Sequence, residues 1–161
     1  MQLLASEEYG LRCLLQVAGS DTGRPVSISQ IAEAEGLSPE YTAKLMRELR
    51  LGNLVESVRG AEGGYRLTRP PGEVSVWSAL RVLGGAFFSE AFCECHPGQR
   101  RECVRSSNCS LRALWDAVQR TLRDTLERIS LDDLQCNERQ MIDCLDPIRL
   151  VPLPHVSEEI S

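Results

Sequence analysis

The cysteines of this chain are concentrated in one short segment. Of the seven cysteines, four lie within residues 93–109, and three of these follow the pattern Cys95-x(7)-Cys103-x(5)-Cys109. In a reducing compartment, clustered thiols indicate a metal or redox site rather than disulfides. Thiolates are soft donors that suit zinc and iron–sulfur clusters. Because structural zinc sites use paired C-x(2–4)-C knuckles and these gaps are longer, the segment favours an iron–sulfur cluster.

A cluster held by three cysteines needs a fourth ligand, and the same segment offers two candidates, Cys93 and His96. Cys109 is predicted at the N-terminus of a long helix, where the helix dipole favours a thiolate. Two alternatives stay open, which are a structural zinc site and free thiols that act as a redox switch or are inert. Cys13 is predicted to be buried as a small apolar residue. Cys136 and Cys144, in the tail, are predicted to be incidental rather than ligands.

The segment from residue 28 to residue 52 is typical of a helix-turn-helix. A helix is predicted over 28–35 and ends at Gly36, and Ser38-Pro39-Glu40 marks the start of a second helix over 39–52. Two helices joined by so short a turn form the helix-turn-helix motif. The candidates for contact with DNA lie on or near the side of the second helix predicted to face away from the core: Glu40, Thr42, Lys44 and Arg47.

A β-hairpin is predicted directly after the second helix. Residues 54–58 and 65–67 are short strand candidates, and Arg59-Gly60-Ala61-Glu62-Gly63-Gly64 forms a glycine-rich tip. A helix-turn-helix followed by a hairpin is a winged helix. The predicted fold is therefore mostly α-helical with a small β-hairpin wing.

The second half of the chain predicts a dimerisation element and a tail. A short helix over 74–83 precedes the cysteine segment, and a long helix follows it. Apolar and small residues at alternating four- and three-residue steps form a seam on that helix: Leu111, Trp115, Val118, Leu122, Thr125 and Ile129. We expect the seam to pair two copies of the chain, the alternative being packing within one chain. The predicted boundaries are a winged helix-turn-helix over 1–72, a helix and cluster loop over 73–109, a dimerisation helix over 110–131, and an acidic, mostly irregular tail over 132–161.

The composition narrows the function class. The 161 residues carry a net charge of −5, but residues 1–130 hold 16 basic and 16 acidic residues, so the excess acid lies in the tail. Charge alone therefore does not exclude nucleic acid as a partner. No apolar run reaches the length of a membrane helix, and the N-terminal residues lack the basic region of a signal peptide, which predicts a cytoplasmic protein. With two histidines and no nucleophile–base set, an enzyme is not expected.

Residues 1–135 resemble the Rrf-type winged-helix regulators, the family of the IscR, NsrR and RirA iron–sulfur regulators. The resemblance is carried by MQLLASEEYGLRCLLQVA, by ISQIAEAEGLSPEYTAKLMRELRLGNLVESVRGAEGGYRLTRP, and by the three-cysteine loop followed by a long helix. It implies a homodimer that binds a palindromic operator in double-stranded DNA. By position, Arg59 matches an arginine that enters the minor groove in that family.

The resemblance also implies a [2Fe–2S] or [4Fe–4S] cluster held by Cys95, Cys103 and Cys109. In several members of the family an acid from the N-terminal helix of the other subunit is the fourth ligand, and that position is occupied here by Glu8. We rank Glu8 first, Cys93 second and His96 third. The predicted function is a transcriptional regulator whose operator binding responds to redox state, nitric oxide or iron status. The alternative is a regulator without a cluster, in which the cysteines form a thiol switch or a zinc site.

Overall fold

A computed structural model describes residues 4–20, 24–60, 63–84, 99, 102–105 and 107–145. The described residues form six α-helices and one two-stranded antiparallel sheet. The helices are α1 (Ala5–Ala18), α2 (Ile28–Glu35), α3 (Pro39–Leu51), α4 (Val76–Leu83), α5 (Ser110–Leu126) and α6 (Glu138–Leu145). The strands are β1 (Val55–Val58) and β2 (Gly64–Leu67), and short 3-10 turns cover Pro71–Glu73 and Asp133–Gln135.

The helix-turn-helix forms where its local signals place it. The Ser27 hydroxyl accepts a hydrogen bond from the Gln30 N–H, and the Gln30 side chain accepts one from the Ser27 N–H, which is a capping box at the start of α2. Gly36 ends α2 in the left-handed region at φ 65°. Ser38 then caps α3, with Pro39 in its first turn.

The β-hairpin and a neighbouring segment form the wing. Its register places Val55 opposite Leu67 and Val58 opposite Gly64. On the other side of β2, Val26 and Tyr65 exchange two backbone hydrogen bonds of 2.8 Å, which ties the wing to the chain entering α2. The prediction of a mostly α-helical winged helix with a hairpin wing is confirmed.

One hydrophobic core is shared by the helix-turn-helix, the base of the wing and the residues that follow α5. Its fully enclosed residues come from α1, α2, α3 and α4 and from the segments after α3, before α4 and after α5: Cys13, Leu14, Val17, Ile31, Leu45, Met46, Leu49, Leu54, Val55, Val74, Ala79 and Leu131. Cys13 is buried as predicted, and this burial raises the pKa of its thiol to about 11. It is therefore a packing residue rather than a reactive thiol.

The long helix is shorter than predicted, because it ends at Leu126 rather than continuing to residue 131. The chain then turns back, and Ile129 and Leu131 are buried instead of extending the seam. The Val76 N–H donates to the Ile129 carbonyl at 2.8 Å, and the Leu131 N–H donates to the Val74 carbonyl at 2.9 Å. The predicted seam residue Ile129 and the nearby Leu131 therefore anchor the chain after α5 to the start of α4.

The tail is less irregular than predicted. Residues 133–135 form a 3-10 turn, and Glu138–Leu145 form α6. The Gln140 N–H donates to Asn137 Oδ1 at 3.0 Å, and the Asn137 N–H donates to Gln140 Oε1 at 3.0 Å. This reciprocal cap is the sequence signal that the prediction missed. Residues 146–161 lie outside the described part. Within the described residues, no helix is long and apolar enough to span a membrane.

Candidate nucleic-acid interface and cysteine segment

Three of the four predicted contact residues of α3 lie together on its outer surface. Glu40, Lys44 and Arg47 are exposed, and their spacing of four and then three residues aligns them along one face. Neither Lys44 nor Arg47 forms an ion pair with any described residue. Both cations are therefore available for phosphates or base edges.

Thr42 does not belong to that surface, although it was predicted as a DNA contact. It is fully buried, and its hydroxyl has no hydrogen-bond partner among the described residues. The reason is its spacing, because Thr42, Leu45, Met46 and Leu49 follow the i, i+3, i+4, i+7 pattern of the inner face. The prediction of Thr42 as a DNA contact was wrong because it followed the polarity of the side chain and not its position on the helix.

The wing tip presents Arg59 beside a tight glycine turn. Arg59 is exposed at the end of β1, and Gly60 adopts φ 123°, which side chains rarely tolerate. A β-carbon at Gly63 would lie 2.7 Å from the Val58 carbonyl oxygen, so the turn leaves no room for a side chain there. Below the tip, Arg66 Nε donates to Glu56 Oε1 at 2.6 Å across the hairpin, which engages that arginine within the wing. The wing therefore carries an exposed cation, Arg59, next to a turn whose conformation requires glycine.

Two of the ligand candidates in the cysteine segment are described. Cys103 and Cys109 are half-buried free thiols, and Cys109 is the N-cap residue of α5. The other three cysteine-segment candidates, Cys95, Cys93 and His96, lie outside the described residues. Across the part of the chain that is described, no three metal-binding side chains are grouped together. The ligand set stays a prediction.

The first turn of α1 carries the remaining ligand candidate. Glu8 is exposed, whereas Glu7 is half-buried and accepts a hydrogen bond from the Leu4 N–H at 2.7 Å. Glu7 therefore serves the helix start, and Glu8 presents a carboxylate to solvent. One turn further on, Arg12 binds Glu35, an interaction that the sequence pattern did not reveal.

Comparison with known proteins places the chain among regulators. The Rrf2 family model, described as an iron-dependent transcriptional regulator, matches residues 4–137. Protein rrf2 of Nitratidesulfovibrio vulgaris is 33% identical over 134 residues, which is 83% of this chain and 87% of that protein. The regulator IscR of Aliivibrio salmonicida is 32% identical over 150 residues, 89% of this chain and 86% of that protein.

A solved structure agrees with these relatives. The structure of CymR, the global cysteine regulator of B. subtilis, matches with a TM-score of 0.65 and 28% identity, and the match covers 83% of this chain and 95% of that one. The matched proteins are transcriptional regulators rather than enzymes, as the sequence predicted. With its exposed α3 and its wing, this chain belongs to the Rrf2 family of DNA-binding winged-helix transcriptional regulators.

Proposed function

We propose that this regulator binds a palindromic operator as a homodimer and that an iron–sulfur cluster held by its cysteine segment controls that binding. The ligands would be Cys95, Cys103 and Cys109, with Glu8 of the partner subunit ranked first as the fourth, ahead of Cys93 and His96. The observation that carries the proposal is the position of Cys109. It is the N-cap residue of α5, and the chain just beyond the other end of α5 is hydrogen-bonded to the start of α4.

The described donors fit such a group in their chemistry. The half-buried Cys109 thiol lies at the N-terminus of α5, a helix of 17 residues whose dipole is positive at that end. Cys103 precedes it by six residues and is likewise free and partly shielded from water. Arg105, between them, adds positive charge near the expected anionic ligands. The carboxylate of Glu8 is exposed, as a ligand supplied to the other subunit would need to be.

The exposed face of α5 supports the homodimer. Leu111 is 53% exposed and Leu114 is 50% exposed, although both are large apolar residues. Val118 and Leu122 continue this face and are half-buried. A second copy of α5 would cover these side chains, and two recognition helices related by a two-fold axis would read two half-sites about one DNA turn apart.

The packing of α4 and α5 supports coupling between the cysteine segment and α3. The last turn of α4, which precedes that segment in the chain, lies so close to α1 and the end of α3 that a β-carbon at Gly10 would clash with Leu83, and one at Gly52 would clash with Val82. At the other side of the segment, α5 is tied through Ile129 and Leu131 to the start of α4. A bound cluster would connect the cysteine segment to the first turn of α1 in the partner subunit. Oxidation, nitrosylation or iron loss would remove or alter this connection. Movement of the segment would then be passed to the recognition helix.

The test is anaerobic purification followed by an absorbance spectrum, iron and acid-labile sulfide assays, and titration of a DNA duplex selected from a random library by the wild-type protein. We expect brown protein with matching iron and sulfide, and a changed duplex affinity after chelation of iron. Cys103→Ala and Cys109→Ala should lose iron and colour. The matched controls Cys136→Ala and Cys144→Ala, which change exposed tail cysteines, should keep both.

Other results would reject the cluster. Wild-type iron content in Cys103→Ala and Cys109→Ala would refute the ligand assignment. Colourless protein with one zinc per chain would indicate a structural zinc site. Iron-free protein whose duplex affinity changes on reversible disulfide formation would indicate a thiol switch. The winged helix would stand in each case.

A further inference from the structure

The helix-turn-helix is held from behind by a cluster of hydrogen bonds that starts on α1. Arg12 Nε donates to Glu35 Oε2 at 2.6 Å, and a terminal nitrogen of Arg12 donates to the Glu35 carbonyl oxygen at 3.1 Å. Gln16 Nε2 donates to Glu35 Oε1 at 2.6 Å. Glu35 is the last residue of α2 and directly precedes Gly36, which opens the turn of the motif. Three polar contacts therefore converge on the residue that precedes the turn.

These contacts differ from an ordinary surface ion pair. The Glu35 side chain is only 9% exposed, and both of its carboxylate oxygens are occupied. The planar guanidinium holds its donors in fixed directions, so its bonds to a carboxylate and to a backbone carbonyl are pre-organised, whereas an ammonium group on a flexible stem has no such fixed fork. The last turn of α2 has no basic residue of its own, so Arg12 also supplies the positive charge that a helix C-terminus favours.

A ring contact extends the same cluster to α3. The Arg12 guanidinium lies 5.4 Å from the centroid of the Tyr9 ring. The Tyr9 ring meets the Tyr41 ring edge-on, with centroids 6.1 Å apart and an interplanar angle of 85°. Tyr41 is in the first turn of α3, next to the exposed Glu40 and one turn before Lys44. Arg12 is thus in contact with the end of α2 and, through Tyr9, with the start of α3.

We propose that Arg12 is a positioning residue for DNA recognition, which sets the angle at which the first turn of α3 is presented to the major groove. Arg12 lies on α1 and acts through Glu35 and Tyr9. Base contacts tolerate little displacement, whereas phosphate contacts made by flexible cations tolerate more. Loosening the turn therefore reduces sequence-specific binding more than non-specific binding. The inference rests on contacts within the winged helix and uses no residue of the cysteine segment.

The experiment compares two DNA probes with variants of the full chain. One probe is a fluorescent duplex selected from a random library by the wild-type protein, and the other is a scrambled duplex of equal length and composition. Arg12→Gln and Glu35→Gln should each weaken binding of the selected duplex about tenfold and leave the scrambled duplex unchanged. Arg12→Lys should recover only part of the loss, because it keeps the charge but not the planar donor geometry of the guanidinium. The double variant should be no weaker than either single variant, since both remove one interaction.

The control is Arg120→Gln, which breaks an ion pair of the same 2.6 Å length with Asp116 on α5. It should change neither affinity. An equal loss on both duplexes with Arg12→Gln would mean a smaller folded fraction and would overturn the proposal, as would unchanged affinity for the selected duplex. If Arg12→Gln fails to fold, Arg12→Lys and Glu35→Gln decide by the same ratio of affinities.

Discussion

Single side chains in α3 show how one helix serves two purposes. Lys44 and Arg47 face outward without ion pairs to described residues, whereas Thr42 faces the core. Thr42 shares the buried face with Leu45 and Leu49, but the prediction assigned it by its polarity rather than by its position. The position of a residue around the helix predicts its burial better than its polarity does, because the core covers every residue on the inner face, polar or apolar.

Replacing Thr42 with valine should stabilise the protein. Valine has nearly the same shape and removes a buried hydroxyl that has no partner among the described residues, so we expect the free energy of unfolding to rise by about 1 kcal/mol. Urea unfolding measures this, and duplex affinity should not change. Thr68→Val is the contrasting control, since the Thr68 hydroxyl donates to the Asn53 carbonyl at 2.7 Å and its loss should destabilise. Weaker DNA binding by Thr42→Val would restore the base-contact assignment.

Truncating Arg59 should weaken DNA binding. Arg59 is exposed at the wing tip, and the loss of a groove contact costs about 1–3 kcal/mol of binding free energy. Fluorescence anisotropy on the selected duplex should therefore show Arg59→Ala binding roughly 5- to 150-fold more weakly. Arg139→Ala removes the same charge from α6 and should have a much smaller effect. If the two variants bind equally, Arg59 makes no groove contact.

At the scale of elements, the start of α3 is stabilised by an N-cap that is recognisable in the sequence. The Tyr41 N–H donates to the Ser38 hydroxyl at 3.2 Å, and Pro39 prepares the first turn. The predicted start of this helix was confirmed because capping is a local interaction that needs only residues three apart. The end of α5 was predicted wrongly because it depends on a distant partner, the segment from Val74 to Val76.

Removing the α3 cap should lower stability. We expect Ser38→Ala to reduce the free energy of unfolding by about 1 kcal/mol, since the first turn loses the acceptor for one of its free N–H groups. Urea unfolding of the full chain gives the value. Ser29→Ala, within α2 and exposed, makes the same chemical change away from a cap and should stay within about 0.5 kcal/mol of wild type. Equal stability of Ser38→Ala and wild type would show that the cap contributes nothing.

At the scale of the whole molecule, the exposed apolar residues of α5 require a covering surface. Leu111→Glu combined with Leu114→Glu should turn the proposed dimer into a monomer. Burial of each leucine stabilises the dimer by about 1.5–3 kcal/mol, so the dissociation constant of the dimer should rise at least roughly 100-fold. Sedimentation equilibrium measures the mass, and affinity for the selected duplex should fall with it.

The control for the dimer lies on α6. Ile142 is 60% exposed, so Ile142→Glu introduces a similar charge on an apolar surface without touching α5. It should leave the sedimenting mass unchanged. A double leucine variant that sediments like the wild type would place the contact surface elsewhere.

The sequence by itself determined the elements with short-range causes. The cap at Ser38, the turn glycine Gly36 and the glycine-rich wing tip each act within a few residues, so the helix-turn-helix and the hairpin could be predicted from the sequence. The cysteine spacing and the family resemblance yielded the ligand candidates in the same way, and these stay predictions.

Only the tertiary structure decided the features that join residues far apart in the chain. The bond between Arg12 and Glu35 spans 23 residues, and the return of Leu131 to Val74 spans more than twice as many. The burial of Thr42 likewise depends on what α1 and α2 bring against α3. Such contacts form because the core must be filled from several elements at once, and no local pattern records which partners will meet.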